Sequence, residues 1–191
     1  MTKRETFNGW YSPEAYYLAL TVVDIPALML NNIVFVSITY FMTNQPMELF
    51  RFSLFFLISV LVGFTSQGLG ILSGSIANIQ YTLVIAAFGI FIITMFSGFF
   101  VLMKDASYGW HWLFYSSFLK HALDAGMEAI FGFNRKKLNC EADYCHYRWP
   151  HKFLESLGVQ TTFTNALYVI IFSLFLFRLT AFFVIKYRLK H

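Results

Sequence analysis

The chain has 191 residues, of which 58% are hydrophobic, 20% aromatic and only 13% charged, roughly half the charge of a typical soluble domain at about 25%. So little charge cannot coat a water-exposed surface, and the mean hydropathy of +0.58 agrees. A soluble enzyme, a disordered tail and a nucleic-acid binder are excluded on these grounds, and the net charge of +4 sits in short clusters between apolar blocks.

No charge occurs in residues 25–47, 52–103 or 156–177. A membrane span takes about 20 apolar residues to cross a core about 30 Å thick. The middle gap as one helix would run about 78 Å at 1.5 Å per residue, so it must fold back once. Three gaps then hold four spans. The expected fold is an all-α, polytopic helical membrane protein with four transmembrane helices, a re-entrant or interfacial helical segment and a small extracellular loop. Its divisions fall at 1–12, 13–103, 104–161 and 162–191.

In chain order, Met1 to Asn8 is polar, and the apolar block that follows is too long for a signal-peptide core. Trp10 and Tyr11 suit the water–lipid boundary. Ser12-Pro13-Glu14 reads as a helix start, with a capping serine and a first-turn proline. Span A runs from Glu14 to Met42 and contains Asp24 and Pro26, the latter a place for a kink. Thr43 to Pro46 is a turn. Span B covers Met47 to Ser73. Its Ser59, Gly63, Ser66, Gly70, Ser73 and Ala77 form a heptad stripe of small residues, the kind that lets membrane helices approach closely. Packing against a neighbouring span within the chain is the simpler reading of that stripe, and a subunit interface is the other. Gly74 to Gln80 is a hairpin turn, and span C runs from Tyr81 to Leu102.

From Lys104 to Thr161 the composition changes, with 13 charges and three of the four tryptophans. Tyr108 to Phe133 is too polar to span and too apolar to float in water, so a re-entrant or interfacial helical pair is the physical compromise. Asn134 to Ser156 reads as a folded outer loop. Cys140 and Cys145 within it fit a disulfide in an oxidising compartment. Metal binding with His146 and His151 is the rival reading, although the spacing is not a zinc pattern. Span D covers Phe163 to Ile185 and ends in a basic tail. Four spans put both termini on one side, and Lys3, Arg4, Lys186, Arg188 and Lys190 mark that side as cytosolic.

There is no phosphate loop, no nucleophile elbow and no zinc-protease pair of histidines, so no catalytic residue and no metal site is expected. His111 and His121 read as polar tips of an interfacial helix. Asp24 and Arg178 lie at similar depths, about 15 Å in from Glu14 and about 12 Å in from Lys186. An ion pair between them is one reading; the other is that each reaches the headgroup zone alone, as arginine does by snorkelling.

The segments RETFNGWYSPEAYYLALTVVDIP, QGLGILSGSIAN, MFSGFFVLMKD and FRLTAFFVIKYRLK, in this order, resemble the membrane part of ATP-binding cassette transporters of the G subfamily. These are the White-type sterol, lipid and pigment half-transporters. CEADYC followed by a leucine-containing helix most resembles the cholesterol and phospholipid exporters among them. The resemblance implies that residues 1–12 form a coupling segment, with Arg4, Glu5 and Asn8 facing a nucleotide-binding domain. It implies that spans A to D are the third to sixth of six. Phe91, Thr94 and Met95 would border the substrate cavity, and Phe99 and Phe100 would form the outer valve. Ordinary core or lipid-facing packing is the plain alternative for these side chains. The implied partners are membrane lipid, a second half-transporter in a homo- or heterodimer, and a nucleotide-binding domain that supplies ATP and Mg; this chain would hold no cofactor itself. The implied role is export of a sterol, phospholipid or similar apolar substrate across the plasma membrane. Measured against the family pattern, the chain lacks the nucleotide-binding domain and the first two spans, and so is not expected to work alone. An independent four-span scaffold or channel, or a non-functional remnant, is the alternative.

Overall fold

Ser12 opens the first helix by accepting a hydrogen bond from the Ala15 amide at 3.2 Å, with Pro13 at the first helical position and Glu14 against the positive end of the dipole. This helix, α1 (Pro13–Met42), runs unbroken through Pro26. The computed structural model describes residues 11–76, 79–138, 145–159 and 161–190. After α1, Asn44 takes a left-handed backbone at φ 50° and the buried Tyr40 hydroxyl donates to the Pro46 carbonyl at 2.6 Å, which holds the turn. α2 (Leu49–Ile76) starts a little later than expected and reaches further. α3 (Ile79–Met95) follows. Two short helices, α4 (His111–Ser116) and α5 (Phe118–Phe131), meet at the non-helical Ser117. α6 (Pro150–Leu157) lies in the loop that leads to the last helix, α7 (Phe163–Lys190).

α1, α2 and α7 are long and apolar enough to cross a membrane. Only 6%, 17% and 11% of their apolar stretches are buried within the chain, so their outer faces suit lipid, and the chain is a multi-pass membrane protein. The expected span C is shorter than its sequence indicates. α3 has 17 residues, about 25 Å of rise, and stops at Met95 instead of Leu102. The break runs through Gly98. It sits at φ +88°, where a Cβ would also meet the Lys120 side chain at 3.1 Å. Because Phe96 to Val101 stay apolar through this break, hydropathy alone runs straight across it. The helix end is closed by the Ser117 hydroxyl, which donates to the Ile93 carbonyl at 3.1 Å.

α2 and α7 form the central pair, α5 wedges against both, and α1 packs on α2 and α7. The shared core is Ile58, Ala125, Ala129, Phe163 and Ala166. Three alanines at the α5–α7 contact let the backbones approach, which is how helices associate where lipid offers no hydrophobic drive. At one end, Lys186 of α7 meets Glu14 of α1 at 2.8 Å, and Arg188 donates to the Ser75 carbonyl of α2 at 2.8 Å. The start of α1 and the end of α7 therefore lie on the same side. α6 ends at Gly158, left-handed at φ 72°, where the Gly158 and Val159 amides bond back to Glu155 and Leu154, so a glycine stop closes the helix.

Candidate functional site

Two polar networks lie inside this apolar bundle. The first joins α1, α2 and α7. Gln67 of α2 donates through Nε2 to Asp24 Oδ2 at 2.6 Å and accepts through Oε1 from Arg178 Nη2 at 2.5 Å. Arg178 also donates to Thr21 Oγ1 at 3.3 Å, and the Tyr17 hydroxyl donates to the Arg178 carbonyl at 2.9 Å. Ionisable groups at this depth need polar partners in place of water. The possible ion pair of Asp24 with Arg178 is not made directly: Gln67 stands between the two and serves both. An amide can do this because it carries a donor and an acceptor on one planar group. The neighbouring Gly68 is buried, and a Cβ there would lie 3.4 Å from Phe177 and 3.6 Å from Arg178. α2 and α7 thus touch closely where the network crosses.

The second network holds α5. Arg51, 4% exposed, donates to the carbonyls of Ala129, Ile130, Gly132 and Phe133 at 2.9–3.3 Å and pairs with Glu48 at 2.7 Å. It caps the C-terminus of α5, where carbonyls lack intrahelical partners and the dipole favours a cation. Arg135 joins at Ile130, 3.1 Å away, over the Phe131 ring. Burial, and then the Arg51 charge, push its guanidinium down from its ordinary value, although arginine stays charged at neutral pH. Lys120, on the same helix, meets Asp124 at 2.5 Å, and Thr161 donates to the same Asp124 oxygen at 2.8 Å. Glu128, one turn on, has its Oε2 buried without a hydrogen-bond partner.

The sequence-derived residues are not gathered at one point. Phe91, Phe99 and Phe100 are 61%, 69% and 62% exposed, on α3 and the turn after it. The rings of Phe99 and Phe100 meet edge to face at 5.1 Å. The Thr94 hydroxyl turns back to the Ile90 carbonyl at 2.7 Å, and Met95 is half-buried at the helix end. The spacing of Phe91, Thr94 and Met95 sets them on one face of α3, and Phe99 and Phe100 follow in the turn after it. The small-residue stripe of α2 divides in two. Ser59 donates to Asn32 Oδ1 at 2.6 Å, and a Cβ on Gly63 would press Leu28 at 3.3 Å, so that half packs against α1. Ser66, Gly70 and Ser73 instead border a cavity of about 190 Å³ between α2, α3 and α5. His111 and His121 each place Nε2 on a backbone carbonyl, at Ala106 and Tyr115. Cys145 is disulfide-bonded; Cys140, Arg4, Glu5, Asn8 and Ala77 lie outside the described residues.

Gln67, Arg51, Lys120 and Asp124 were not singled out from sequence. Arg51 had a signal, as the last charge before a long uncharged stretch. Lys120 and Asp124 had another, the i,i+4 spacing of a helical pair. Gln67 had none, since an amide in an apolar run leaves no pattern.

A family model described as ABC-2 type transporter matches residues 1–131. The chain belongs to the ABC-2 type transporter family. ABC transporter G family member 1 of Dictyostelium discoideum is 26% identical over 200 residues, covering 98% of this chain and 25% of that protein. ABC transporter G family member 6 of Arabidopsis thaliana is 30% identical over 133 residues, covering 68% of this chain and 18% of its own length. ABC multidrug transporter A-2 of Aspergillus fumigatus is 28% identical over 131 residues, covering 68% of this chain and 9% of that protein. The chain spans a quarter or less of these curated relatives. In this ABC-2 transporter chain the family match ends where α5 ends. α7 and its Arg178 are reached by the Dictyostelium match, which runs nearly the whole chain.

Proposed function

We propose that this transporter membrane region works as part of an ATP-driven exporter of a sterol, a phospholipid or a similarly apolar molecule. It would act with a nucleotide-binding domain and a second half-transporter, as a homo- or heterodimer. ATP and Mg would be held by that nucleotide-binding domain, outside this chain. In this reading α3, extended by the turn through Val101, acts as a fourth span; both termini are cytosolic, Lys104 to Thr161 faces outward, and the membrane is the plasma membrane. Cys140 is the partner of Cys145, and Arg4, Glu5 and Asn8 take the push of nucleotide-driven closure.

The observation that carries the reading is the exposure of the aromatic side chains Phe91, Phe99 and Phe100 on α3 and the turn after it, the most loosely packed of the four long helices of a family member. Flat uncharged molecules suit a wall of this kind. Alternating access requires that the substrate bind the inward and outward states with different affinity. A wall that shifts against a fixed block supplies such a difference, with Thr94 and Met95 between Phe91 and the Phe99–Phe100 pair, which forms the closing point.

The test is uptake of labelled sterol or phospholipid into vesicles that hold the chain together with a G-family nucleotide-binding half. ATP-dependent uptake that falls at least tenfold for Phe99→Ala with Phe100→Ala is expected. Uptake without any ATPase partner would overturn the proposal, and so would ATP-dependent uptake indifferent to both phenylalanines.

A further inference from the structure

A pocket of about 330 Å³ opens where α1 turns into α2, lined by Tyr40, Phe41, Met47, Glu48, Leu49 and Phe52. That volume lies at the lower end of small-molecule sites, about 300–1,000 Å³. Half of the lining is aromatic. The rings of Phe41 and Phe52 are inclined at 28° with centroids 6.3 Å apart, and the Tyr40 ring stands at 86° and 88° to them, at 6.3 and 5.2 Å. The three rings form a corner, and the bond from the Tyr40 hydroxyl to the Pro46 carbonyl holds it in place.

Glu48 is the ionised member of the lining. Its side chain is exposed and Oε2 pairs with Arg51, while no hydrogen bond to Oε1 is seen among the described residues. A carboxylate beside ring faces is the chemistry that takes a quaternary ammonium, which is drawn to an aromatic face within about 6 Å of its centroid. Such a cation donates no hydrogen bond. A primary ammonium has three N–H donors to satisfy, and the lining offers it only the Glu48 carboxylate and the lone pairs of the buried Tyr40 hydroxyl. The surrounding charges narrow the choice again. Arg135 feels both Arg51 and Glu48, so two guanidinium groups face one carboxylate. A bare cation is disfavoured in that field, whereas a zwitterion with a phosphate beside its ammonium is matched at both ends.

Depth agrees with a headgroup. α1 has 30 residues, about 45 Å of rise, against about 40–45 Å for a bilayer with its headgroup regions. The last turn of α1, which carries Tyr40 and Phe41, therefore lies at headgroup level, on the side opposite the Glu14–Lys186 contact. Met47 and Leu49 are exposed and continue the lip of the pocket in hydrocarbon, which suits acyl chains leaving a headgroup seated in the corner.

We infer that this corner binds the phosphocholine headgroup of a membrane lipid, with the trimethylammonium against the rings of Tyr40, Phe41 and Phe52 and beside Glu48. The site uses α1 and α2, not the α3 residues assigned to transport, and it does not rest on the proposed function.

The experiment reconstitutes the chain in nanodiscs of phosphatidylcholine, phosphatidylethanolamine and phosphatidylglycerol in equal parts. Lipid that stays bound on release is read by native mass spectrometry. Expected is phosphatidylcholine retained about fivefold or more over either of the others. Phe41→Leu and Glu48→Gln, made separately, should each cut that excess about threefold or more, while Phe172→Leu on an exposed face of α7 leaves it unchanged. Phe41 is exposed and leucine keeps the position apolar, so unfolding of Phe41→Leu in mixed micelles should match the parent chain. That variant keeps the test decisive even if Glu48→Gln loosens the Arg51 pair. Equal retention of phosphatidylcholine and phosphatidylethanolamine overturns the inference, and so does a choline excess that survives Phe41→Leu. Retention led by phosphatidylglycerol overturns it in favour of an anion site at the arginines. Displacement of the bound lipid by choline chloride, but not by sodium chloride of equal strength, supports the corner as the seat of the ammonium; choline chloride binding as tightly as the lipid overturns the lipid as its occupant.

Discussion

α3 and α5, at 17 and 14 residues, are shorter than the long helices they pack on, yet the bundle holds them by opposite means. α5 is fixed by Arg51 on its terminal carbonyls, by Lys120 with Asp124 and Thr161, and by alanine contacts against α7. α3 presents aromatic and branched side chains outward and is tied near its ends by the Thr82 and Ser117 hydroxyls, to the Ser73 and Ile93 carbonyls. Directional polar bonds inside a membrane set one register, whereas hydrocarbon packing costs little to slide. The difference separates a frame of α1, α2, α5 and α7 joined by polar bonds from a helix held mainly by apolar packing between two end ties.

The most damaging change should be Arg51→Ala. It strands the carbonyls of Ala129, Ile130, Gly132 and Phe133, and removal of a buried charged partner typically costs about 3–5 kcal/mol. Unfolding in mixed micelles should show that loss. Arg51→Lys should restore only part of it, because an ammonium lacks the planar fork. Full rescue by lysine would mean the cap acts only as a point charge. Next is Gln67→Leu, which unlinks Asp24 and Arg178 and should cost about 2–3 kcal/mol. If it is neutral, the three-helix network is not part of the frame. Gly98→Ala forces an alanine into a left-handed backbone beside Lys120, at about 1–2 kcal/mol. Its signature should be a shift in the α3 end, read by labelling at Phe99, more than a collapse of the fold. The smallest stability effect belongs to Phe99→Ala and Phe100→Ala, expected within about 0.5 kcal/mol. A large loss of stability from either would place these rings in the frame and end the contrast.

Much of the frame was readable in the sequence because its causes are local. Ser12 and Pro13 start a helix by their own chemistry, charge-free stretches measure out spans, and the polar run after Lys104 had to break into short pieces. The end of α3 was hidden, since Gly98 matters through its backbone angle while the residues around it remain apolar. The link from Asp24 to Arg178 was half legible. Depth along two helices brought the charges level, but nothing in spacing could place Gln67 between them. The stripe from Ser59 to Ser73 read as one surface, yet one side of α2 meets α1 first and α3 later, so a single sequence pattern serves two neighbours.

Arg51 also bears on the order in which the chain can be built. The carbonyls it caps are synthesised some eighty residues after it. Until the guanidinium and those carbonyls meet, Arg51 has only the nearby Glu48 as a partner, and the end of α5 has no such cap. Insertion of α2 is therefore a provisional state that only the arrival of α5 completes. A ribosome stalled between the two would leave the α1–α2 hairpin inserted but not yet committed to its depth.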